Sequence, residues 1–426
     1  MQGALRQALT LETQGRLSEA DLLYGNILET DRENGTAMYR RAVLASQRNE
    51  HDEAVRLVQS ALKHVPINIR DRANSDFGTI MRRHGDFALG EGRVEDAVAS
   101  YTEATSFNQA DAQAHFSEAV CRLTLGDFAK GWPKYTWRWK AYGDAPESAG
   151  TARAVWTGSE PLDGKSMLVT PEQGLGDTIM FVRYARLLAQ RGAKVTVAVH
   201  PPLRAIIGTL EGVDIRQDGD QIARPDFQCS MMDLPVALKT DLSNIPADIP
   251  YLHPVASYDE KWRGMVPRER RLRVGLVWAG GHQFERDDKR SIKLAEFAPL
   301  LDNADIQFVS LQRDVRDYDA ATFAARPDIL HFGERLQDFA DTASIIDQLD
   351  VVISVDTSVA HLAGALGKPV WVMLPFVPDF RWMLKRTDSP WYPTATLFRQ
   401  ENLGDWEGVI LRLKSALETF TPTQAA

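Results

Sequence analysis

The 426-residue chain carries only two cysteines, Cys121 and Cys229, 108 residues apart. That scarcity excludes a disulfide framework or a cysteine-based zinc set and suits a reducing compartment, the cytoplasm. Basic charge is not in excess: 49 Lys and Arg stand against 58 Asp and Glu, a net charge of −9. An acidic balance is a poor match to nucleic acid, whose phosphates need clustered positive charge, so no nucleic-acid partner is expected. No run of about 18 apolar residues occurs, so no membrane span is expected. Residues 1–20 mix Gln, Glu and Arg among apolar residues, unlike a signal peptide. With 44% hydrophobic and 25% charged residues the chain is globular rather than disordered, and its length implies two to four domains.

Two textures divide it. Residues 1–140 are rich in Ala, Leu, Glu and Arg, with apolar residues at helical spacing, as in Ala20, Leu23, Tyr24 and Ile27. Four segments align there: Gly15–Ala20, Asn49–Ala54, Gly92–Ala97 and Gly126–Gly131, their first residues 34, 43 and 34 apart. A 34-residue helix-turn-helix unit is the tetratricopeptide period. A Gly or Asn ends the first helix in a left-handed turn, and five residues on a small residue lets the second helix approach closely. Tyr24 and Tyr101 fill the next layer, Pro66 closes a repeat, and the longer interval implies about nine extra residues around Arg70–Arg82. Stacked helix pairs offer a concave surface for a peptide, or serve as spacer or dimer interface; the oligomeric state is left open. Trp132–Trp139, with four aromatics, reads as the docking end of the array rather than a stacking platform, followed by a connecting loop over Lys140–Gly158.

From Met167 onward short Val/Ile runs alternate with helical stretches, the pattern of parallel sheets. One half is expected over residues 160–258 and a second over 270–420, separated by a charged hinge at Tyr258–Arg271. The second half holds candidate strands Arg273–Trp278, Ile306–Leu311, Val351–Val355 and Val370–Leu374. The last helix, Trp406–Phe420, is a candidate for crossing back to brace the first half. Two Rossmann-like halves leave a cleft at the carboxyl ends of their strands, where ligands bind in open α/β sheets.

Three loops at those ends carry chemistry. Gly174-Leu175-Gly176-Asp177-Thr178 lies between strand Met167–Thr170 and helix Ile179–Gln190; its glycines permit a tight turn and close backbone approach. Asp177, at or just before the helix start, is an N-cap or a general base. Trp278–His282 runs on to Asp287-Asp288-Lys289-Arg290-Ser291, either a solvated charged loop or a cationic grip on a diphosphate. Asp356-Thr357-Ser358-Val359-Ala360-His361 caps helix Val359–Leu366, whose N-terminus suits phosphate or ribose hydroxyls; His361, one turn in, is packed or faces the ligand. Asp218-Gly219-Asp220 looks like a metal-binding pair but has no further ligands nearby and reads as a turn.

These loops together resemble the heptosyltransferase-like glycosyltransferases of family 9, with the GT-B fold, and in particular bacterial proteins that fuse tetratricopeptide repeats to such a domain. The tryptophan-rich repeat end, Glu172–Thr178 and Ser389-Pro390-Trp391-Tyr392-Pro393 extend the likeness over nearly the whole chain. The resemblance implies a fold of α plus α/β class, helical repeats followed by a GT-B glycosyltransferase. It also implies inverting transfer of a sugar from a nucleotide-sugar without metal or other cofactor. By position Asp177 would be the catalytic base, with Gly174, Gly176, Lys289, Asp356, Thr357, Ser358 and His361 binding the donor. Ser291 replaces the aromatic usual two residues after the lysine, and heptosyltransferases lack repeats. Both departures point away from heptose and toward a protein acceptor such as flagellin held by the repeats. The alternatives are a non-catalytic repeat scaffold or sugar-nucleotide sensor, and a transferase acting on a cell-surface glycan.

Overall fold

The structure, a computed structural model, describes residues 2–143, 154–217, 220–281 and 287–422 and forms two compact units, 1–145 and 146–426. The connecting loop falls mostly outside the described residues, as do Asp218, Gly219 and His282.

The first unit is an array of helix pairs: Gln2–Thr13 with Leu17–Thr30, Gly35–Gln47 with His51–Ala61, Arg70–Gly90 with Val94–Phe107, and Ala112–Thr124 with Phe128–Tyr135. Gly15, Asn49, Gly92 and Gly126, the four aligned turn residues, all take positive φ, between 61° and 81°, the left-handed conformation that ends each first helix. Ala20, Ala54 and Ala97 are fully buried where the paired helices touch. Gly131 is required at the fourth such position, because a Cβ there would lie 2.7 Å from Leu123. The extra residues of the long interval lengthen helix Arg70–Gly90 to 21 residues. Trp132 and Tyr135 turn inward, edge-on to each other at 5.6 Å and next to Phe128 and Phe116.

The second unit holds two all-parallel sheets. The first comprises β1 (Ala154–Val155), β2 (Ser166–Thr170), β3 (Lys194–Val199), β4 (Asp214–Gln217) and β5 (Phe227–Ser230), in the order β1-β5-β2-β3-β4. The second comprises β6 (Leu272–Val277), β7 (Ile306–Ser310), β8 (Leu330–His331), β9 (Val351–Val355), β10 (Val370–Leu374) and β11 (Ala395–Arg399), in the order β11-β10-β9-β6-β7-β8. The second order is the doubly wound Rossmann arrangement, and the strand order reverses beside β2 in one sheet and beside β6 in the other. Every residue of β6, β7, β9 and β10 is buried, as expected of strands covered on both faces.

Three expectations are corrected. The last helix, Trp406–Thr419, does not cross back. Its apolar stripe, Val409, Ile410, Leu413 and Leu417, enters the core around β6 and β9, and Arg271 grips its end through the Leu417 and Phe420 carbonyls at 2.9 and 3.1 Å. The hinge begins inside a helix (Ala256–Trp262) that is docked on the second half. Trp262 is buried, and it and Lys261 both bond the buried Asp341, at 2.6 and 2.7 Å. Helix Ile179–Gln190 begins earlier and is interrupted at Val182, giving Leu175–Phe181 and Arg183–Gln190.

Candidate functional site

The loops after β2 and β9 meet. Gly174 caps helix Leu175–Phe181, so Asp177 is its third residue rather than its cap. From there Oδ2 accepts the Gly174 N–H at 2.8 Å, as an acidic third residue does in a capping box. Gly176 touches the facing helix Ser358–Ala365: a Cβ would lie 2.9 Å from the His361 ring and 3.3 Å from Ser358 Cα. Glycine here is what lets two helix starts from different halves come together.

Around Asp356 the sequence-selected residues divide. Arg290 Nη1 donates to the Asp356 carbonyl at 2.6 Å, and Asp287 holds Arg290 at 3.1 Å. Arg316 also pairs with Asp287 and donates to the Gly280 carbonyl at 2.7 Å. Ser291, where an aromatic was expected, accepts the Gly280 N–H and donates to Asp287, both at 2.9 Å. A side chain at Gly280 would disturb this network, since a Cβ would fall 2.2 Å from Asp287 Oδ1 and 2.3 Å from Arg290 Nη2. Lys289 is exposed on the short helix Asp287–Arg290; its neighbour Arg290 is the cation that reaches the third loop. Thr357 caps helix Ser358–Ala365 in extended conformation with its hydroxyl 3.1 Å from Ser354, leaving the cap without a side-chain bond.

His361 is 4% exposed, stacked on Trp382 at 5.1 Å, with Nδ1 3.0 Å from the Tyr392 hydroxyl and Nε2 3.8 Å from Asp356. Burial, aided by Arg381, Arg183 and Arg290, pushes its pKa well below the ordinary value, which disfavours the charged ring. Burial and the charge of Asp379 raise the Asp356 carboxyl to about 6. Burial likewise raises Asp177, with Arg381 and the Gly174 N–H pulling the other way.

Several residues escaped the sequence reading. Arg381 pairs with Asp177 across the two halves, pairs with Asp379 at 2.7 Å and reaches Gln173 at 3.3 Å. Its loop is fixed by Arg399, which donates to the Met383 carbonyl at 2.7 Å while Met383 sits at φ 48°. Arg183 is a buried cation bonded to the carbonyls of Met180, Pro246 and Trp391 at 2.7, 3.1 and 2.6 Å and to the Tyr251 hydroxyl at 2.8 Å. Its guanidinium also lies over the Tyr251 and Tyr392 rings. Trp391 and Tyr392 thus tie Arg183 of one half to His361 of the other. The run Phe380-Arg381-Trp382, a cation between aromatics in a loop, was the available signal. Asp220, half of the suspected metal pair, bonds the Gln217 N–H at 3.0 Å.

Residues 5–68 and 82–131 match the Tetratricopeptide repeat family model, so the first unit is a tetratricopeptide-repeat array. The unmatched residues 69–81 coincide with the start of the long helix Arg70–Gly90. Protein FlbA of Caulobacter vibrioides is 24% identical over 436 residues, covering 87% of this chain and 71% of that protein. Among solved structures, a glycosyl transferase family 9 protein from Veillonella parvula is 11% identical with a TM-score of 0.44, covering 61% of this chain and 98% of its own. YrrB, described as a TPR protein with an unusual peptide-binding site, is 19% identical with a TM-score of 0.26, covering 34% of this chain and 79% of its own.

Proposed function

We propose that this protein is an inverting glycosyltransferase that moves a sugar from a nucleotide-sugar to a hydroxyl of a polypeptide acceptor without a metal. The carrying observation is the meeting, at the switch points of the two parallel sheets, of a carboxylate from one half with a helix N-terminus and two guanidinium groups, Arg290 and Arg381, from the other. Ligands bind at such points in open α/β sheets. In this reading the diphosphate lies at the start of helix Ser358–Ala365, where Thr357 and Ser358 offer hydroxyls and free backbone N–H groups. Arg290 orders that turn through the Asp356 carbonyl, and Lys289, free to reach from its exposed position, adds a counter-charge.

The acceptor oxygen attacks the anomeric carbon as the bond to the diphosphate breaks. Asp177 takes the hydroxyl proton, and the leaving charge stays on the diphosphate, stabilised by fixed dipoles and cations. His361, neutral and held by Tyr392 and Trp382, hydrogen-bonds the donor rather than serving as a charge. The repeats present the acceptor, their concave face suiting a polypeptide.

A thermal-shift screen of nucleoside mono- and diphosphates tests the donor site, since a ligand of the folded state raises its apparent stability. Release of nucleoside diphosphate from a panel of nucleotide-sugars tests the reaction. A protein that is stabilised by none and releases none would be the non-catalytic scaffold instead. Activity in excess EDTA is the expected result; loss on chelation restored by a divalent ion would overturn the metal-free assignment.

A further inference from the structure

Asp177 as it stands is poorly placed to take a proton. Oδ2 is engaged by the Gly174 N–H at 2.8 Å, and Oδ1 is paired with Arg381 Nη2. Burial raises this carboxyl, but Arg381 pulls the other way and occupies the oxygen that an acceptor hydroxyl would need. The Arg381 side chain is only 8% exposed and comes from the opposite half, from a loop that Arg399 holds in place. Its Nη1 is separately anchored on Asp379 at 2.7 Å, so Nη2 can exchange partners while the side chain remains tethered. Arg381 also neighbours the ground where a donor would sit: its charge acts on both Asp356 and His361, the residues that bracket Thr357 and Ser358. Gly176, one residue before Asp177, already touches Ser358 and His361. A diphosphate offers a guanidinium several anionic oxygens in the planar geometry it binds best.

We propose that Arg381 is an anion-operated latch on Asp177: without donor its Nη2 holds the carboxylate, and a diphosphate at the start of helix Ser358–Ala365 takes over Nη2 and frees Oδ1 for the acceptor hydroxyl. The inference rests on the donor placement proposed above. It imposes an order, donor before acceptor, because the base becomes available only once the leaving group is in place.

The test is calorimetric titration of the full-length protein with inorganic pyrophosphate, then UDP, GDP and ADP. It compares wild type, Asp177→Asn, Arg381→Ala and the double variant, with Arg381→Gln standing in should the alanine variant fail to fold by circular dichroism. If Asp177 competes with diphosphate for Arg381, Asp177→Asn binds at least about 5-fold tighter than wild type, the lower edge of ordinary coupling between sites. That gain disappears when Arg381 is also replaced. Unchanged affinity in Asp177→Asn, or an equal gain in the Arg381→Ala background, overturns the latch while leaving the diphosphate site standing. Absence of binding to every probe by wild type and Asp177→Asn alike overturns the donor site and the latch together.

Discussion

Arg183 and Asp356 show how charge is handled when water is excluded. Arg183 has carbonyls and a tyrosine hydroxyl for partners, and removing one side of such a buried arrangement strands the others. Arg183→Met should therefore lower unfolding stability by about 3–5 kcal/mol, read as a shift in chemical-denaturation midpoint. Asp356 behaves oppositely. Its folded pKa of about 6 stands above the ordinary 3.8, so the unfolded chain loses that proton first. The stabilisation it provides is present below pH 4 and is lost as pH rises through about 6, a span worth about 1–3 kcal/mol. Asp356→Asn should flatten the melting temperature between pH 4 and 6.5 and exceed wild type at pH 8. For the proposed base, Asp177→Asn should cost about 10²–10⁴-fold in turnover with the fold intact, since Asn preserves a polar group at the helix start; wild-type turnover would remove Asp177 from the chemistry. The positions of Asp177, Asp356 and His361 were legible because they lie within or just before the first turn of helices that follow apolar strands. The pairings of Arg381 and Arg183 were not, because those partners lie 204 and 208 residues away and local sequence carries no record of such distant contacts.

At the level of elements, the sequence reading succeeded where one periodicity ran uninterrupted. Val351–Val355 and Val370–Leu374 are the observed β9 and β10, because buried parallel strands are continuous β-branched or apolar runs. It missed β11, Ala395–Arg399, whose burial alternates along an edge, and β8, which is two residues long. The placement of the last helix failed for a different reason: its apolar stripe states that it packs, not on which half. The contact between helices Leu175–Phe181 and Ser358–Ala365 depends on Gly176 lacking a side chain. Gly176→Ala would put a Cβ 2.9 Å from the His361 ring, which is held by Tyr392 and Trp382 and yields little. The expected outcome is a lower melting temperature, since overpacking costs about 1–3 kcal/mol, together with about 10-fold weaker nucleotide binding measured where the variant is fully folded. Wild-type nucleotide affinity of the folded variant would mean the contact is only packing.

Over the whole molecule, the repeats bury Ala and Tyr between helix pairs, and the second half of the second unit closes around β6 and β9. All candidate donor residues lie beyond residue 173, so the second unit alone should bind nucleotide. A cut at residue 131 would split the last repeat, because Trp132 and Tyr135 pack with Phe128 and Phe116 inside it. The better fragment is residues 146–426, the second compact unit. Circular dichroism and a melting transition first establish that it is folded, since uncovered apolar surface invites aggregation. Nucleoside diphosphate should then bind within about 3-fold of the full chain, a change of less than one kcal/mol, and donor hydrolysis by water should persist. Transfer to a macromolecular acceptor should fall by at least about 100-fold, because the concave surface proposed to hold the acceptor is gone. Adding the separate repeat unit in trans should restore little, since the effective concentration supplied by covalent linkage is lost. Full transfer by the folded fragment would assign the repeats to spacing or self-association and move acceptor recognition into the second unit.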